Sequence, residues 1–299
     1  MNNIITFYDA VHDDSEPPEP IIDEGVLLDK TILMIIGEAK VKKSFLAMNF
    51  AIAIAKGEGF SGFTVQSPNK VLLLSAEGGY FPTRERIKKL AGKEEESVLK
   101  NISLAKYVNL SIDDDDDYHA LKEMIKSTGA RVVIIDPLIR FHSQEENSSM
   151  AMNIVFRRFR ELNNDLGVSL IIIHHTGKIL SKGGRGSSLI RGEYDSAITL
   201  KNNGDKHKIY FDMRHVETPS PRIVSFNKDT FWFEASTDND KVVEYLIENG
   251  SISRTALTEE WVSSDTFSNS HGYRLINEAI KKGSVREGED GKLHLPEEE

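Results

Sequence analysis

The chemistry-bearing stretch nearest the start of the chain is "GEAKVKKS", residues 37–44. It follows the apolar run "TILMIIG" and precedes "FLAMNFAIAIAKG", which has the composition of a buried helix. A phosphate-binding loop reads G-x-x-x-x-G-K-[ST] between a strand and a helix, because phosphate oxygens need converging backbone N–H groups, a cation and a metal-bound hydroxyl. Gly37, Lys43 and Ser44 fit that pattern, with Lys43 reaching the terminal phosphates and Ser44 ligating magnesium. Lys42 stands where the second glycine belongs. A side chain at the positive φ this position requires costs on the order of 1 kcal/mol, tolerable for the fold but able to disturb phosphate contacts. The competing reading is an ordinary strand–turn–helix with lysines.

Three further apolar runs end in residues of matching chemistry. "KVLLLSAEGG" ends near Glu77, a carboxylate able to orient or deprotonate an attacking water. "RVVIIDP" ends in Asp136, placed to hold a metal through water. "VSLIIIHH" ends in His174 and His175. One polar residue at a strand end is usually structural. Several at the ends of parallel strands gather at one edge of the sheet, which is where ligands bind in such folds.

The elements that must position these groups are readable from pattern. The runs at 31–36, 70–77, 131–137 and 168–175 are continuously apolar, as strands covered on both faces should be. Helical stretches at 44–56, 81–91, 118–128 and 148–165 separate them, so the class is α/β with a mostly parallel sheet flanked by helices. From 196 to 233 short strand-like segments follow one another as antiparallel strands do. From about 237 to 299 the sequence reads as three short helices and a hairpin with a "DG" turn, a winged-helix pattern. Residues 1–24 are acidic and proline-bearing, a flexible arm, which leaves 25–236 for the main domain. The five-Asp run 113–117 reads as a solvated loop.

The bulk numbers narrow the partners. The 299 residues are 39% hydrophobic and 28% charged, ordinary for a globular chain. No apolar run approaches the roughly 18 residues that span a bilayer, so no membrane partner is expected. The chain has no cysteine, which excludes disulfides, thiolate metal sites and a cysteine nucleophile and agrees with a cytoplasmic location. A net charge of −10 argues against general nucleic-acid stickiness. The excess sits in residues 1–29, with eight acidic and no basic residues, whereas 178–222 carries nine Lys or Arg against five Asp or Glu.

Over about residues 25–235 the chain resembles the RecA-type ATPases, in the branch of plasmid RepA-type hexameric replicative helicases. The segments carrying the resemblance are "GEAKVKKSFLAMNFAIAIAKGEGFSGF", "KVLLLSAEGG" with "RERIKKL", "VVIIDPLIRFHSQEENSS", "LGVSLIIIHHTGK" and "RGSSLIRGEYDSAITL". The pair "HHTGK" and "RGSS" is the most specific element and the phosphate loop the least faithful. The resemblance implies a RecA-like domain that binds ATP and Mg2+ through Gly37, Lys42, Lys43, Ser44, Phe45 and Asp136. Glu77 would be the catalytic base, and His175 or its neighbour His174 the sensor of the terminal phosphate. Lys178, Lys182 and Arg185, in the glycine-rich segment "TGKILSKGGRGSS", would contact the backbone of single-stranded DNA in a ring, without base readout. That segment has no aromatic residue for stacking, and its plain alternative is a connecting loop. Arg214 matches the arginine a neighbouring subunit contributes, although Asp212 stands where many relatives have lysine, and Arg191 is the other candidate.

Two functions of different class follow. One is a homo-oligomeric ring, hexameric in the family, that hydrolyses ATP and acts on single-stranded DNA beside other replication proteins, as in a plasmid, phage or mobile element. The other is a non-hydrolysing RecA-like scaffold or regulator, its loop spoiled by Lys42, that binds DNA or a replication partner. A signalling ATPase of the circadian-clock type shares the core, but a single core with a terminal winged helix does not favour it.

Overall fold

The structure is a computed structural model and describes residues 4–146, 148–175, 190–203, 206–235, 240–264, 266–281, 283–288 and 290–296. Its main sheet has nine strands in the order β3-β2-β4-β5-β1-β6-β7-β8-β9. These are β1 (Ile32–Gly37), β2 (Val71–Ser75), β3 (Ile102–Ala105), β4 (Val132–Asp136), β5 (Ser169–His175), β6 (Ser196–Asn203), β7 (Lys206–Met213), β8 (Arg222–Phe226) and β9 (Phe233–Ala235). β1 pairs in parallel with β5 and β6, and β2 with β3 and β4. β7–β8 and β8–β9 pair antiparallel. The class is therefore the one expected, a mostly parallel RecA-like sheet with antiparallel strands following. The short edge strand β3 was not expected. Its "ISLA" is too brief to stand out from its surroundings, and only pairing with β2 makes it a strand.

The helices are α1 (Phe7–Val11), α2 (Lys43–Lys56), α3 (Tyr80–Ala91), α4 (Glu96–Lys100), α5 (Asp115–Thr128) and α6 (Ser149–Leu166), then α7 (Asp240–Asn249), α8 (Arg254–Ser263) and α9 (Asn269–Lys281). α2 is apolar almost all round, and eleven of its fourteen residues are buried, as a helix held between layers requires. α6 instead buries one stripe, Met152, Val155, Phe156, Phe159, Leu162 and Asn163, at helical spacing. Its apolar members join Val133, Ile135, Leu170 and Ile172 in one core cluster. Among the described residues no helix is long and apolar enough to cross a membrane.

Within the acidic arm expected over residues 1–24, residues 7–11 form the exposed helix α1, closed by a capping box between Thr6 and Asp9, and Ile21 and Ile22 are buried. One reading of the acidic segments changes. The five-Asp run is not a plain solvated loop. Asp114 caps α5, accepting from the N–H groups of Asp116 and Asp117, and Asp115–Asp117 make its first turn, where negative charge suits the helix dipole. Asp113 reaches across to the segment after β4. It accepts from Ser143 N at 3.0 Å, Ser143 Oγ at 2.5 Å, Gln144 Nε2 at 2.7 Å and Ser111 Oγ at 2.8 Å.

Burial alone would raise the Asp113 carboxyl, but the bonds from Ser143, Gln144 and Ser111 outweigh it and hold it well below the usual carboxylate range. The stability it contributes is present above the unfolded value of about 3.9 and is lost as pH falls through and below it. Asp113→Asn is expected to cost about 2 kcal/mol at pH 7 and much less at pH 3, read by urea unfolding. Equal costs at both pH values would remove the charge from the explanation.

The chain divides into two compact units, residues 1–201, 210–220 and 227–232 in one and 202–209, 221–226 and 233–299 in the other. The second has its own core, including Val242, Leu246, Leu257, Trp261, Leu275, Ile276 and Leu293. Its small sheet, in the order β10-β12-β11, joins β10 (Ile252–Ser253), β11 (Arg286–Glu287) and β12 (Lys292–His294) antiparallel. Gly272 lets α8 and α9 approach closely, since a Cβ there would meet Thr258 Cγ2 at 2.9 Å.

Candidate active site at the strand C-terminal edge

Strand register assembles the site. Gly37 on β1 stands opposite His175 on β5, and Ser75 on β2 opposite Asp136 on β4, so the expected strand-end residues share one edge. Gly37 is required there by close packing, because a Cβ would lie 2.5 Å from the Leu200 carbonyl oxygen on β6.

The loop keeps the geometry of a glycine-bearing phosphate loop despite its sequence. Lys42 sits at φ 69°, ψ 26°, in the left-handed region, and its carbonyl accepts from the N–H groups of Phe45 and Leu46 to start α2. Lys40 is left-handed as well, at φ 68°. Burial lowers the Lys42 ammonium, and Lys228 acts the same way. Lys43 is 3% exposed. Its Nζ donates to the carbonyls of Gly37 at 2.8 Å and Glu38 at 2.7 Å. Burial lowers its ammonium to about 8, against the opposing pull of Asp136 and Glu77.

Asp136 is 4% exposed. Burial raises its carboxyl to about 6, and Glu77 adds to the rise, whereas a hydrogen bond from Ser44 and the charges of Arg86 and Lys43 lower it. Its Oδ1 is buried without a hydrogen-bond partner. A buried carboxylate oxygen left over beside a serine hydroxyl suits Mg2+, which takes few protein oxygens and completes its shell with water and phosphate. No group of three or more His, Asp and Glu forms a metal cage among the described residues, so Ser44 and Asp136 are the residues that fit the ion.

Glu77 lies just past β2, 47% exposed on its side chain, between Arg140 Nε at 3.7 Å and His175 Nε2 at 3.9 Å. The two histidines separate by strand alternation. His175 goes with Glu77 and Lys43, and burial followed by Lys43 lowers its imidazole. His174 Nδ1 instead faces Glu146 Oε1 at 3.7 Å, and His142 Nε2 lies 3.8 Å from the same oxygen. At those lengths neither contact is a hydrogen bond. They hold the Glu146 carboxyl below its usual range, while burial pushes His174 down.

Other expected residues lie elsewhere. Arg214 Nη2 donates to the Gly192 carbonyl at 2.6 Å, and Arg191 pairs with Asp212 at 3.2 Å. Lys178, Lys182 and Arg185 lie outside the described residues. The structure adds groups that the sequence reading left unassigned. Arg140, His142 and Glu146 stand in "PLIRFHSQEEN" and meet the strand-end residues only in three dimensions. Phe231 packs against Phe45 with ring centres 4.9 Å apart and planes tilted by 56°, and the Arg86 guanidinium lies 5.3 Å from the centre of the Phe45 ring. Phe231 is left-handed at φ 63°, in the turn after β8, with no sequence signal pointing to it.

Residues 6–179 match the family described as AAA domain, more than half of the chain. Among solved structures the fold is similar to one described as an ATPase domain, with a TM-score of 0.57 and 12% identity, covering 77% of this chain and 95% of that one. A DnaB-like replicative helicase, solved for its interactions with primase, matches with a TM-score of 0.56 and 12% identity, covering 76% and 64%. A KaiC-like protein from the hyperthermophilic archaeon Pyrococcus horikoshii OT3 matches with a TM-score of 0.51 and 15% identity, covering 72% and 93%. At such identities these likenesses speak for the fold, and the family match speaks for descent. The chain belongs to the AAA domain family and is built as a RecA-type P-loop protein.

Proposed function

We propose that this protein binds ATP with Mg2+, hydrolyses it, and works as a homo-oligomeric ring on single-stranded nucleic acid, as a replicative helicase or a related DNA-handling ATPase. The observation that carries the reading is the convergence of Lys43, Ser44, Asp136, Glu77 and His175 beside a loop that keeps left-handed geometry at Lys42. In this reading the loop amides and Lys43 hold the phosphates, with Lys43 exchanging its two carbonyl partners for phosphate oxygens. Glu77 takes a proton from the water that attacks the terminal phosphorus, and the bond to the ADP oxygen breaks. Bound magnesium would neutralise charge on the phosphate oxygens from Ser44 and Asp136. Phe45, Phe231 and Arg86 offer ring and guanidinium faces for the base.

His175 senses whether the terminal phosphate is present, and the segment with Lys178, Lys182 and Arg185 answers by moving on the strand. Arg214 serves the neighbouring subunit's site. The second unit is a winged helix that contacts DNA or another subunit, replication proteins are partners, and the location is cytoplasmic. A non-hydrolysing scaffold is the second reading. It is favoured by Lys43 closing onto the carbonyls of its own loop and by two strained lysines there.

The test is ATP hydrolysis with and without single-stranded DNA, on the natural protein and Lys42→Gly. Hydrolysis stimulated by DNA supports the motor. The glycine variant is expected to be about 1 kcal/mol more stable, from relief of the left-handed strain. Binding without turnover in the natural protein, restored by Lys42→Gly, would make it a restrained switch. Turnover in neither form would leave the scaffold.

A further inference from the structure

Outside the phosphate site, one surface of the first unit gathers large rings where the fold does not need them. Tyr107, just after β3, is 78% exposed and Phe81, at the start of α3, is 61% exposed. Tyr80 stands between them, its ring centre 5.4 Å from that of Phe81 and 6.3 Å from that of Tyr107. The three rings form one aromatic row on water. Isolated exposed apolar residues are ordinary, but contiguous ones mark a contact surface. Tyr107 also holds φ 54°, a left-handed conformation unusual for a bulky side chain.

Cations accompany the row. Lys106 Nζ lies 4.5 Å from the centre of Tyr80, and the Arg84 guanidinium 5.2 Å from that of Phe81. Helix α3 carries Arg84, Arg86, Lys88 and Lys89 against Glu85, which accepts from Arg84 at 2.8 Å and from Lys88 at 3.1 Å, so the helix keeps a formal +3 in a chain of net −10. A small cavity of about 70 Å³ borders the row, with Tyr80, Lys106 and Tyr107 in its wall beside Ser75, Thr83 and Leu104. It is smaller than the pockets that enclose a small-molecule ligand.

We propose that Tyr80, Phe81 and Tyr107, with Lys106 and Arg84, form a platform on which bases of single-stranded nucleic acid stack while the cations meet its phosphates. The chemistry of the surface selects this occupant: every base has a π-face, so rings bind it without sequence readout, and cations on the same row suit a polyanion. An acidic protein surface would satisfy the cations and leave the rings idle. An apolar one would bury the cations unpaired. The platform starts three residues beyond Glu77, so strand contact and the proposed water-activating carboxylate share the segment that leaves β2. The inference rests on the nucleic-acid reading above and supplies the aromatic contacts missing from residues 176–190.

The test is anisotropy of a fluorescein-labelled oligodeoxythymidylate on the full chain with ATP present, for the natural protein, F81A/Y107A, Tyr107→Phe and Lys106→Gln. Fluorescent-nucleotide binding and sedimentation are measured alongside. The double variant is expected to bind the strand on the order of 100-fold more weakly, about tenfold per ring, with nucleotide binding and assembly unchanged and Tyr107→Phe near natural. Lys106→Gln should lower the salt dependence by about 0.7 in log–log slope. Natural binding by all variants overturns the platform while leaving the nucleic-acid reading intact. Absence of strand binding by the natural protein overturns both. Loss of binding together with a smaller sedimenting species overturns the platform in favour of an interface between copies of this chain.

Discussion

Replacing Glu77 by glutamine is expected to lower ATP turnover by about 10²- to 10⁴-fold while leaving nucleotide binding within a few-fold of natural. The residue is positioned for proton transfer rather than for holding phosphate. It lies past the end of β2, half in solvent, where a water can reach it, and contacts Arg140 and His175 rather than the loop amides. Glutamine keeps its size and can accept from the same neighbours, but cannot take a proton. Fluorescent-nucleotide titration and phosphate release measure the two effects separately. A variant that turns over within tenfold of natural would sink Glu77 as base. One that fails to bind would move it into the phosphate-holding set.

Lys43→Ala is expected to weaken nucleotide binding by on the order of 10²- to 10³-fold, with turnover falling accordingly. The protein keeps an ammonium almost wholly buried here on two carbonyl oxygens, with its affinity for the proton lowered to about 8. That arrangement is poor for stability, since burial disfavours the charge and no hydrogen-bonded carboxylate compensates it. Removing the side chain loses two hydrogen bonds but relieves the desolvation, so the unfolding free energy should change by no more than about 1 kcal/mol. Binding and stability thus separate the functional residue from a structural one. A large loss of stability with nucleotide binding retained would make Lys43 a strut of the loop, and the phosphate reading would fall with it.

Local pattern carried the class of the fold. Buried parallel strands are continuous apolar runs, and "TILMII", "KVLLL", "RVVII" and "VSLIII" became β1, β2, β4 and β5. The positions of Glu77, Asp136 and His175 were legible for the same reason: parallel strands put their C-terminal ends on one edge, so a polar residue closing an apolar run is already placed, and Ser44 opens the helix that follows β1. The edge strand β3 was not legible, because four residues hold too little periodicity and its identity depends on β2. Asp113 was not either, since an acidic run looks alike whether its carboxylates meet water or the backbone at Ser143.

By itself, then, the sequence determined that this is an α/β chain with a phosphate-loop pattern and with carboxylates, Glu77 and Asp136, at the ends of two parallel strands, because these follow from residue type and order along single strands. Only the tertiary structure decided three things. Lys42 takes the left-handed conformation of the glycine it replaces, because the pull of a whole helix start outweighs the strain of one residue. His174 and His175 part, one toward Glu146 and one toward Glu77, because alternate side chains leave opposite faces of a strand. And Tyr107 comes to stand beside Tyr80, because β3 pairs with β2 and brings together residues twenty-seven apart in the chain, a proximity that no local pattern encodes.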